Sequence, residues 1–372
     1  MKLLIFIYSM GGGGAERATA NLANYWAEKG WDITVLTLVP GDSDFYILHP
    51  SVKRTSLMLA KDSNNILVGL WQNFHRIAAL RRVLRQVRPD IALGMMSTAN
   101  VLLALAAWGL PGLRTIGAEQ IHPPQMPLGL FWENLRSHTY GLLNVVTALT
   151  GKSENWIKEH TNAKKVVVIP NSIAWPLIGK GPVIHPRDLC QPGRKILLAV
   201  GRLDAQKGFD WLIEAFYNLS SKHPDWNLVI LGEGHLRKTL ETQVQQSGLE
   251  KYIFLPGWVG NLSEWYGSAD LYVMSSRFEG FGNTLVEAMA HGLSAVSFDC
   301  DTGPGDIIRH EVDGLLVPPG DLASLTAALD RLISDRLERQ HFAQKALEAR
   351  MRFSMEKITG MWEELFETIL SE

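Results

Sequence analysis

Glu279-Gly280-Phe281-Gly282-Asn283-Thr284-Leu285-Val286-Glu287 sets two carboxylates eight positions apart around a G-x-G, just after an apolar run ending near Met274-Ser275-Ser276. Gly280 and Gly282 let the backbone approach a ligand closely. Asn283 is placed to cap the helix that carries Glu287-Ala288-Met289. The N–H groups of Asn283, Thr284 and Leu285 would then open toward an anion, and that geometry suits a diphosphate. Glu279 falls in the loop and Glu287 about one turn into the helix, so both can border one pocket. A second segment, Gly201-Arg202-Leu203-Asp204-Ala205-Gln206-Lys207-Gly208, follows the strand-like run Lys195 to Val200. Arg202 and Lys207 are placed to neutralise a leaving diphosphate, because fixed cations stabilise charge that develops as a bond to phosphate breaks. The bland readings are a plain helix N-terminus with surface carboxylates and a solvated basic loop.

Such loops need strands to hold them. The first half opens with a buried-strand pattern, Leu3 to Tyr8, then the loop Gly11 to Gly14, then a helical stretch from Ala15 to Lys29, then the strand Ile33 to Leu38. This β-loop-α-β order begins a parallel doubly wound sheet. Asp90–Leu93, Thr115–Ala118, Val145–Ala148 and Val166–Ile169 continue it. Residues 174–194 are dense in Pro and Gly and read as a linker. The alternation restarts at Lys195–Val200, with strands at Asn227–Leu231, Tyr252–Leu255, Leu271–Met274 and Ala295–Phe298. The chain is therefore α/β, with two Rossmann-like doubly wound domains expected to face a central cleft. The boundaries are 1–175, a linker over 176–194, 195–353, and a helical tail over 354–372.

Composition narrows the class. Of 372 residues 46% are hydrophobic and 20% charged, which suits a globular fold rather than disorder. Cys190 and Cys300 form no disulfide framework and no metal-ligand spacing, so reduced thiols in a cytosolic protein are expected. Neither the start of the chain nor Val101 to Leu110 is long enough to cross a bilayer, which takes about 20 apolar residues. Residues 1–185 hold 18 Lys and Arg against 11 Asp and Glu, while residues 186–372 hold 18 against 27. The basic half is the one expected to meet an anionic partner. Arg76, Arg81, Arg82, Arg85 and Arg88, with Trp71 and Phe74 nearby, read as a helix that could lie on anionic lipid or simply cover the sheet.

Two patterns are set aside. Gly11-Gly12-Gly13-Gly14-Ala15-Glu16 does not continue as G-x-G-x-x-G, and the next strand ends in Val39-Pro40-Gly41 rather than an acid, so a nicotinamide site is not expected. Asp299-Cys300-Asp301 has the form of a metal-binding D-x-D, but a turn after the strand Ala295–Phe298 is the better reading.

Together with Gly-Gly-Ala-Glu-Arg at 13–17, Leu231-Gly232-Glu233-Gly234, Gly257-Trp258-Val259, Ala269-Asp270-Leu271, Gly303-Pro304 and Asp313 to Pro318, the two segments resemble glycosyltransferase family 4, retaining enzymes of the GT-B fold. The resemblance covers most of the chain and is closer in the second half. It implies that Glu287 bonds the ribose of a nucleotide sugar, that Glu279 faces the donor sugar, and that backbone from Gly280 through Phe281, Gly282, Asn283 and Thr284 to Leu285 holds sugar and phosphate. Gly201, Arg202 and Lys207 would grip the diphosphate, Gly232, Trp258 and Val259 would frame the base, and Gly13 and Gly14 would approach the donor phosphate or the acceptor. Relatives place a His or Arg where this chain has Gln120. His122, two positions later, is either a sugar contact or a structural residue of its Pro-rich loop. The resemblance further implies transfer with retention, no metal and no cofactor, and a UDP-sugar donor. The acceptor would be a saccharide or polyprenyl-linked saccharide in cell-surface glycan assembly, at the cytoplasmic face of a membrane. No nucleic-acid partner is expected. The last helix would return to the first domain. A non-catalytic nucleotide-sugar-binding protein and a GT-B sugar-nucleotide epimerase are the competing readings.

Overall fold

A computed structural model describes residues 1–60, 66–177, 179 and 181–372, which form two compact units. The first comprises residues 1–172 and 355–372, the second residues 173–354.

The apolar runs of the first unit become β1 (Lys2–Ile7), β2 (Asp32–Thr37), β3 (Lys53–Ser56), β4 (Ile91–Met95), β5 (Arg114–Ala118), β6 (Val145–Ala148) and β7 (Val166–Val168). They form one parallel sheet in the order β3-β2-β1-β4-β5-β6-β7. A parallel sheet is covered on both faces, so its central strands are apolar throughout. Leu3, Ile5 and Ile7 of β1 join one core with Trp26 and Ile33, while Leu4 and Phe6 join another with Leu80 and Leu102. The edge strand β3 is polar and half exposed, and only its pairing with β2 makes it a strand.

The final helix, Met355–Ser371, packs on this first unit. Its Ile358, Trp362, Phe366 and Ile369 enter the core that holds Trp26. Phe366 lies 5.2 Å from the Trp26 ring, and Glu363 accepts from Trp26 Nε1 at 3.1 Å and from Lys29 Nζ at 2.8 Å.

The second unit holds β8 (Lys195–Val200), β9 (Trp226–Leu231), β10 (Ile253–Gly257), β11 (Leu271–Met274), β12 (Ala295–Phe298) and β13 (Gly314–Val317), ordered β10-β9-β8-β11-β12-β13. The linker expected over 176–194 is corrected, because its described residues are part of this unit. Pro182 O accepts from Gly260 N at 2.7 Å, Asn261 Nδ2 donates to Ile184 O, and His185 pairs with Glu264. The boundary falls between Ser172 and Ile173 instead. Ile178 and Lys180 of that segment lie outside the described residues.

Strand order reverses between β1 and β4 in the first unit and between β8 and β11 in the second. Ligands of doubly wound sheets bind beyond the carboxyl ends of the strands at such reversals. In the second unit, those ends carry residues 201–208 and 275–282.

Candidate active site

The two loops flanking the β8/β11 reversal are stitched into one surface. Arg277 N donates to Gln206 O at 2.7 Å, Gln206 Nε2 to Phe278 O at 3.0 Å, and Ser275 Oγ to Lys207 O at 2.9 Å. Arg277 also caps Trp211 at 3.8 Å and pairs with Asp210 at 2.6 Å. Gly208 sits at φ 62°, and a Cβ there would fall 2.1 Å from Ser275 O, so no other residue permits this approach. The β9 loop joins in the same way, since a Cβ on Gly232 would lie 1.9 Å from Gly201 O. Gly232 thus packs backbone on backbone, and Gly201 lies against the methylene stem of Lys207.

On this surface Lys207 Nζ lies 2.5 Å from Glu279 Oε1, with the two side chains 16% and 7% exposed. Ser276 Oγ donates to the same oxygen at 2.6 Å, and Thr302 Oγ1 donates to the Glu279 backbone carbonyl at 2.6 Å. Cys300 Sγ reaches Ser276 O at 3.0 Å, and burial pushes its thiol up to about 12, with the Glu279 charge adding to the effect. Asp299-Cys300-Asp301 therefore buttresses the Glu279 loop through its thiol. Among the described residues no group of three or more His, Cys, Asp or Glu could hold a metal ion.

Helix Asn283–Ala290 starts at this loop. Its N-cap is Gly282 at φ 108°, not Asn283 as the sequence suggested, because the chain needs a left-handed residue to turn from the loop into the helix. The Leu285 amide already donates to Gly282 O at 3.0 Å, which removes it from the expected set of outward amides. Asn283 and Thr284 precede the intrahelical ladder. The Thr284 hydroxyl accepts from Tyr272 at 2.9 Å, Leu285 is fully buried, and Phe281 packs edge-on against Phe353 at 5.5 Å. Glu287 is buried at 3% exposure and accepts from Tyr266 OH at 3.1 Å. Arg202 is not gathered in: its side chain is 67% exposed and pairs with Asp204 at 3.2 Å. Trp258 and Val259 follow β10, with Val259 buried in the unit.

In the first unit, Gly13 is the N-cap and Gly14 the first residue of helix Gly14–Glu28. Phe45 lies over Gly12, and Tyr46 OH donates to Gly13 O at 3.0 Å. Beyond β5, Glu119 is buried at 1% exposure, bonded by Tyr140 OH on Oε1 and by Ser97 Oγ at 2.7 Å on Oε2. Sequence reasoning missed Ser97, Asn100, Arg136 and Tyr140, which converge from three helical segments. His122 is buried with Nδ1 3.0 Å from Ser153 Oγ, while the Gln120 amide oxygen is buried with no protein hydrogen-bond partner. Tying His122 to Ser153 supports the structural reading, and Gln120 Oε1, like Asn100 Oδ1 and Arg136 Nη1 in the cluster around Glu119, is left with capacity to spare.

Burial raises the Glu119 carboxyl above its ordinary value near 4.5, against the opposing hydrogen bond from Tyr140 and the charge of Arg136. The folded chain then holds this proton more tightly than the unfolded chain, so this contribution to stability is present below pH 4.5 and is lost as pH rises through the raised value. Glu119→Gln should flatten that loss. Chemical denaturation of both proteins from about pH 4 to about pH 8 checks it, and a stability difference that does not vary with pH contradicts it.

Comparison with known proteins supplies the family. Residues 184–349 match the family described as Glycosyl transferases group 1, and residues 12–174 match Glycosyltransferase Family 4. The chain is 33% identical over 295 residues to an exopolysaccharide phosphotransferase of Streptomyces coelicolor; the match covers 78% of this chain and 30% of that longer protein. It is 28% identical over 368 residues to the amylovoran biosynthesis glycosyltransferase AmsD of Erwinia amylovora, covering 98% of this chain and 99% of AmsD. It is 25% identical over 370 residues to a Campylobacter jejuni alpha-1,4-N-acetyl-D-galactosaminyltransferase whose name carries a diNAcBac-PP-undecaprenol saccharide, with 99% of each chain covered. The fold matches that of Anabaena HepE in complex with UDP, with a TM-score of 0.78, 20% identity, and coverage of 99% of this chain and 100% of that one. The two α/β units are those of the GT-B fold, and the chain belongs to glycosyltransferase family 4.

Proposed function

We propose that this glycosyltransferase moves a hexosyl group, with retention and without a metal ion, from a UDP-sugar to a hydroxyl of a lipid-linked saccharide at the cytoplasmic face of a membrane. The observation that carries the reading is the Lys207–Glu279 pair at the β8/β11 reversal, an ammonium and a carboxylate held 2.5 Å apart where such sheets bind ligands. Lys207, with Arg202 swinging in from solvent, takes the diphosphate; Glu279 takes hydroxyls of the donor sugar; Glu287 takes the ribose. Backbone from Gly280 to Thr284 lines sugar and phosphate, and Trp258 and Val259 border the base. The acceptor oxygen bonds the anomeric carbon on the face from which the diphosphate departs. The electron pair of the breaking bond goes to the leaving phosphate oxygen, and that oxygen receives the acceptor proton. Fixed positive charge there stabilises the departing group more than the bound donor. The names of AmsD and the Campylobacter enzyme, and the UDP in the HepE complex, support the donor and acceptor classes. Incubating the protein with UDP-sugars and an undecaprenyl-diphosphate saccharide, then assigning the new linkage by NMR, tests the reading. An inverted linkage or no product refutes it.

The membrane part of the reading rests on apolar surface rather than on net charge. Arg76 is buried and bonded to Leu59 O and Asn73, and Arg81 donates to the carbonyls of Ala106 and Trp108, so both serve the fold. The returning segment 355–372 also brings Glu356, Glu363, Glu364, Glu367 and Glu372 against Lys357, leaving the first unit near neutrality at +2. In contrast, Trp71 and Phe74 are 63% and 68% exposed in the first half of helix Ile66–Val87, and Leu130 is 93% exposed at the start of helix Leu130–Thr139. The two helices follow β3 and β5 of the parallel sheet, whose carboxyl ends lie on the side that carries Glu119 and Gln120, and this is the side on which the reading places the acceptor. Trp71→Ser with Phe74→Ser should release the protein from phosphatidylethanolamine–phosphatidylglycerol vesicles in flotation while leaving its melting temperature unchanged. Equal flotation of variant and wild type contradicts this.

The described residues contain no helix long and apolar enough to cross a membrane.

A further inference from the structure

We infer that Glu279 is the resting counter-ion of Lys207, that a donor exchanges this partnership, and that Ser276 is a positioning residue holding the carboxylate through the exchange. The inference rests on the donor-site reading above and adds to it a discrimination between the intact nucleotide sugar and the nucleoside diphosphate product.

Both donors to the Glu279 carboxylate reach the same oxygen, Oε1: the Lys207 ammonium at 2.5 Å and the Ser276 hydroxyl at 2.6 Å. The pair is largely withdrawn from water, so its charges are weakly screened. A diphosphate bound at Lys207 brings a second anion beside Glu279, and two anions about one ammonium repel. The Glu279 charge then needs new donors, and the hydroxyls of a donor sugar supply them. A bare nucleoside diphosphate brings the anionic charge without those hydroxyls, leaving Glu279 undercompensated and the ligand disfavoured. The same imbalance follows transfer, when the sugar has left, and it promotes release of the product.

Ser276 keeps Glu279 in place while Lys207 is engaged elsewhere. Ser276 is buried at 2% exposure, its carbonyl accepts the Cys300 thiol, and Thr302 bonds the Glu279 backbone carbonyl. A neutral donor suits this role because a diphosphate does not pull it away.

The experiment titrates UDP, GDP and ADP into wild type, Glu279→Gln and Ser276→Ala, then repeats the titration with the glucose, galactose and N-acetylhexosamine derivatives of the same nucleotides. Thermal unfolding of each variant confirms folding. Glu279→Gln is expected to bind the bare nucleoside diphosphate about tenfold tighter and the nucleotide sugar no tighter, collapsing the preference for the intact donor. Ser276→Ala is expected to bind the bare nucleotide within about twofold of wild type while its kcat falls and its KM for the donor rises. If Glu279→Gln weakens or leaves unchanged both ligands by a common factor, the exchange is wrong while the donor site stands. If wild type binds none of the three nucleotides and none of their sugar derivatives, the donor-site reading itself fails and the exchange falls with it.

Discussion

Lys207→Ala is expected to lower kcat/KM for sugar transfer by about a thousandfold, the scale of removing a fixed charge from a developing anion. The substitution acts on the fold as well. Lys207 and Glu279 are a largely buried pair with a hydroxyl bond on the same carboxylate oxygen. Removing one partner strands the other, at a cost of about 3 kcal/mol. The two effects separate in a double variant: Lys207→Met with Glu279→Gln removes both charges and recovers most of the lost stability, while transfer stays at the level of Lys207→Ala. Denaturant midpoints and steady-state kinetics on the wild type and the two variants check both halves. Recovery of transfer along with stability would mean that Lys207 merely supports the loop.

Glu287→Ala has the second largest expected effect, and it falls on binding. Glu287 is buried on helix Asn283–Ala290 with one carboxylate oxygen accepting from Tyr266. A carboxylate that accepts ribose hydroxyls contributes about 1.5–3 kcal/mol per charged hydrogen bond, so donor affinity should fall by roughly a hundredfold. The kcat at saturating donor should change much less, because the ribose is held alike in ground and transition states. A donor carrying 2′-deoxyribose provides the matching half of a cycle: it binds wild type more weakly than the natural donor, and Glu287→Ala no longer distinguishes the two. A variant that still discriminates them places the ribose elsewhere.

The loops that hold these groups were legible because chemistry and topology coincide there. Arg202, Lys207 and Glu279 lie in loops that follow apolar runs, with Glu287 in the helix that the second loop opens, and a parallel strand ends where its apolar run ends. The edge strand β3 was not legible, because Lys53-Arg54-Thr55-Ser56 has no apolar pattern and is ordered by pairing with β2. The linker was misread because proline and glycine density marks irregular backbone, not independence; Pro182 and Ile184 are bonded into the second unit through Gly260 and Asn261. The N-cap fell one residue early because the turn demands a left-handed residue at Gly282, a requirement of backbone direction that side-chain type does not reveal. Around Glu279, Ser276 had a local signal, three positions back in the same loop, whereas Thr302 and Cys300 arrive from the end of β12. Tyr140 and Ser97 reach Glu119 across 21 and 22 residues, and no sequence period announces such a contact. Charge summed over half the chain misled for a related reason, since the acidic last helix crosses back to the first unit.

The central claim is that the second unit binds a nucleoside-diphosphate sugar through Lys207 and without a divalent ion. Thermal unfolding of the wild type and of Lys207→Ala against UDP-, GDP- and ADP-sugars, all in excess EDTA, tests it most directly, since a ligand that binds only the folded state raises apparent stability with the logarithm of its concentration over Kd. The account predicts a rise for the wild type with UDP-sugars and its loss in Lys207→Ala. A rise that appears only when magnesium or manganese replaces EDTA, or one that survives unchanged in Lys207→Ala, would contradict it.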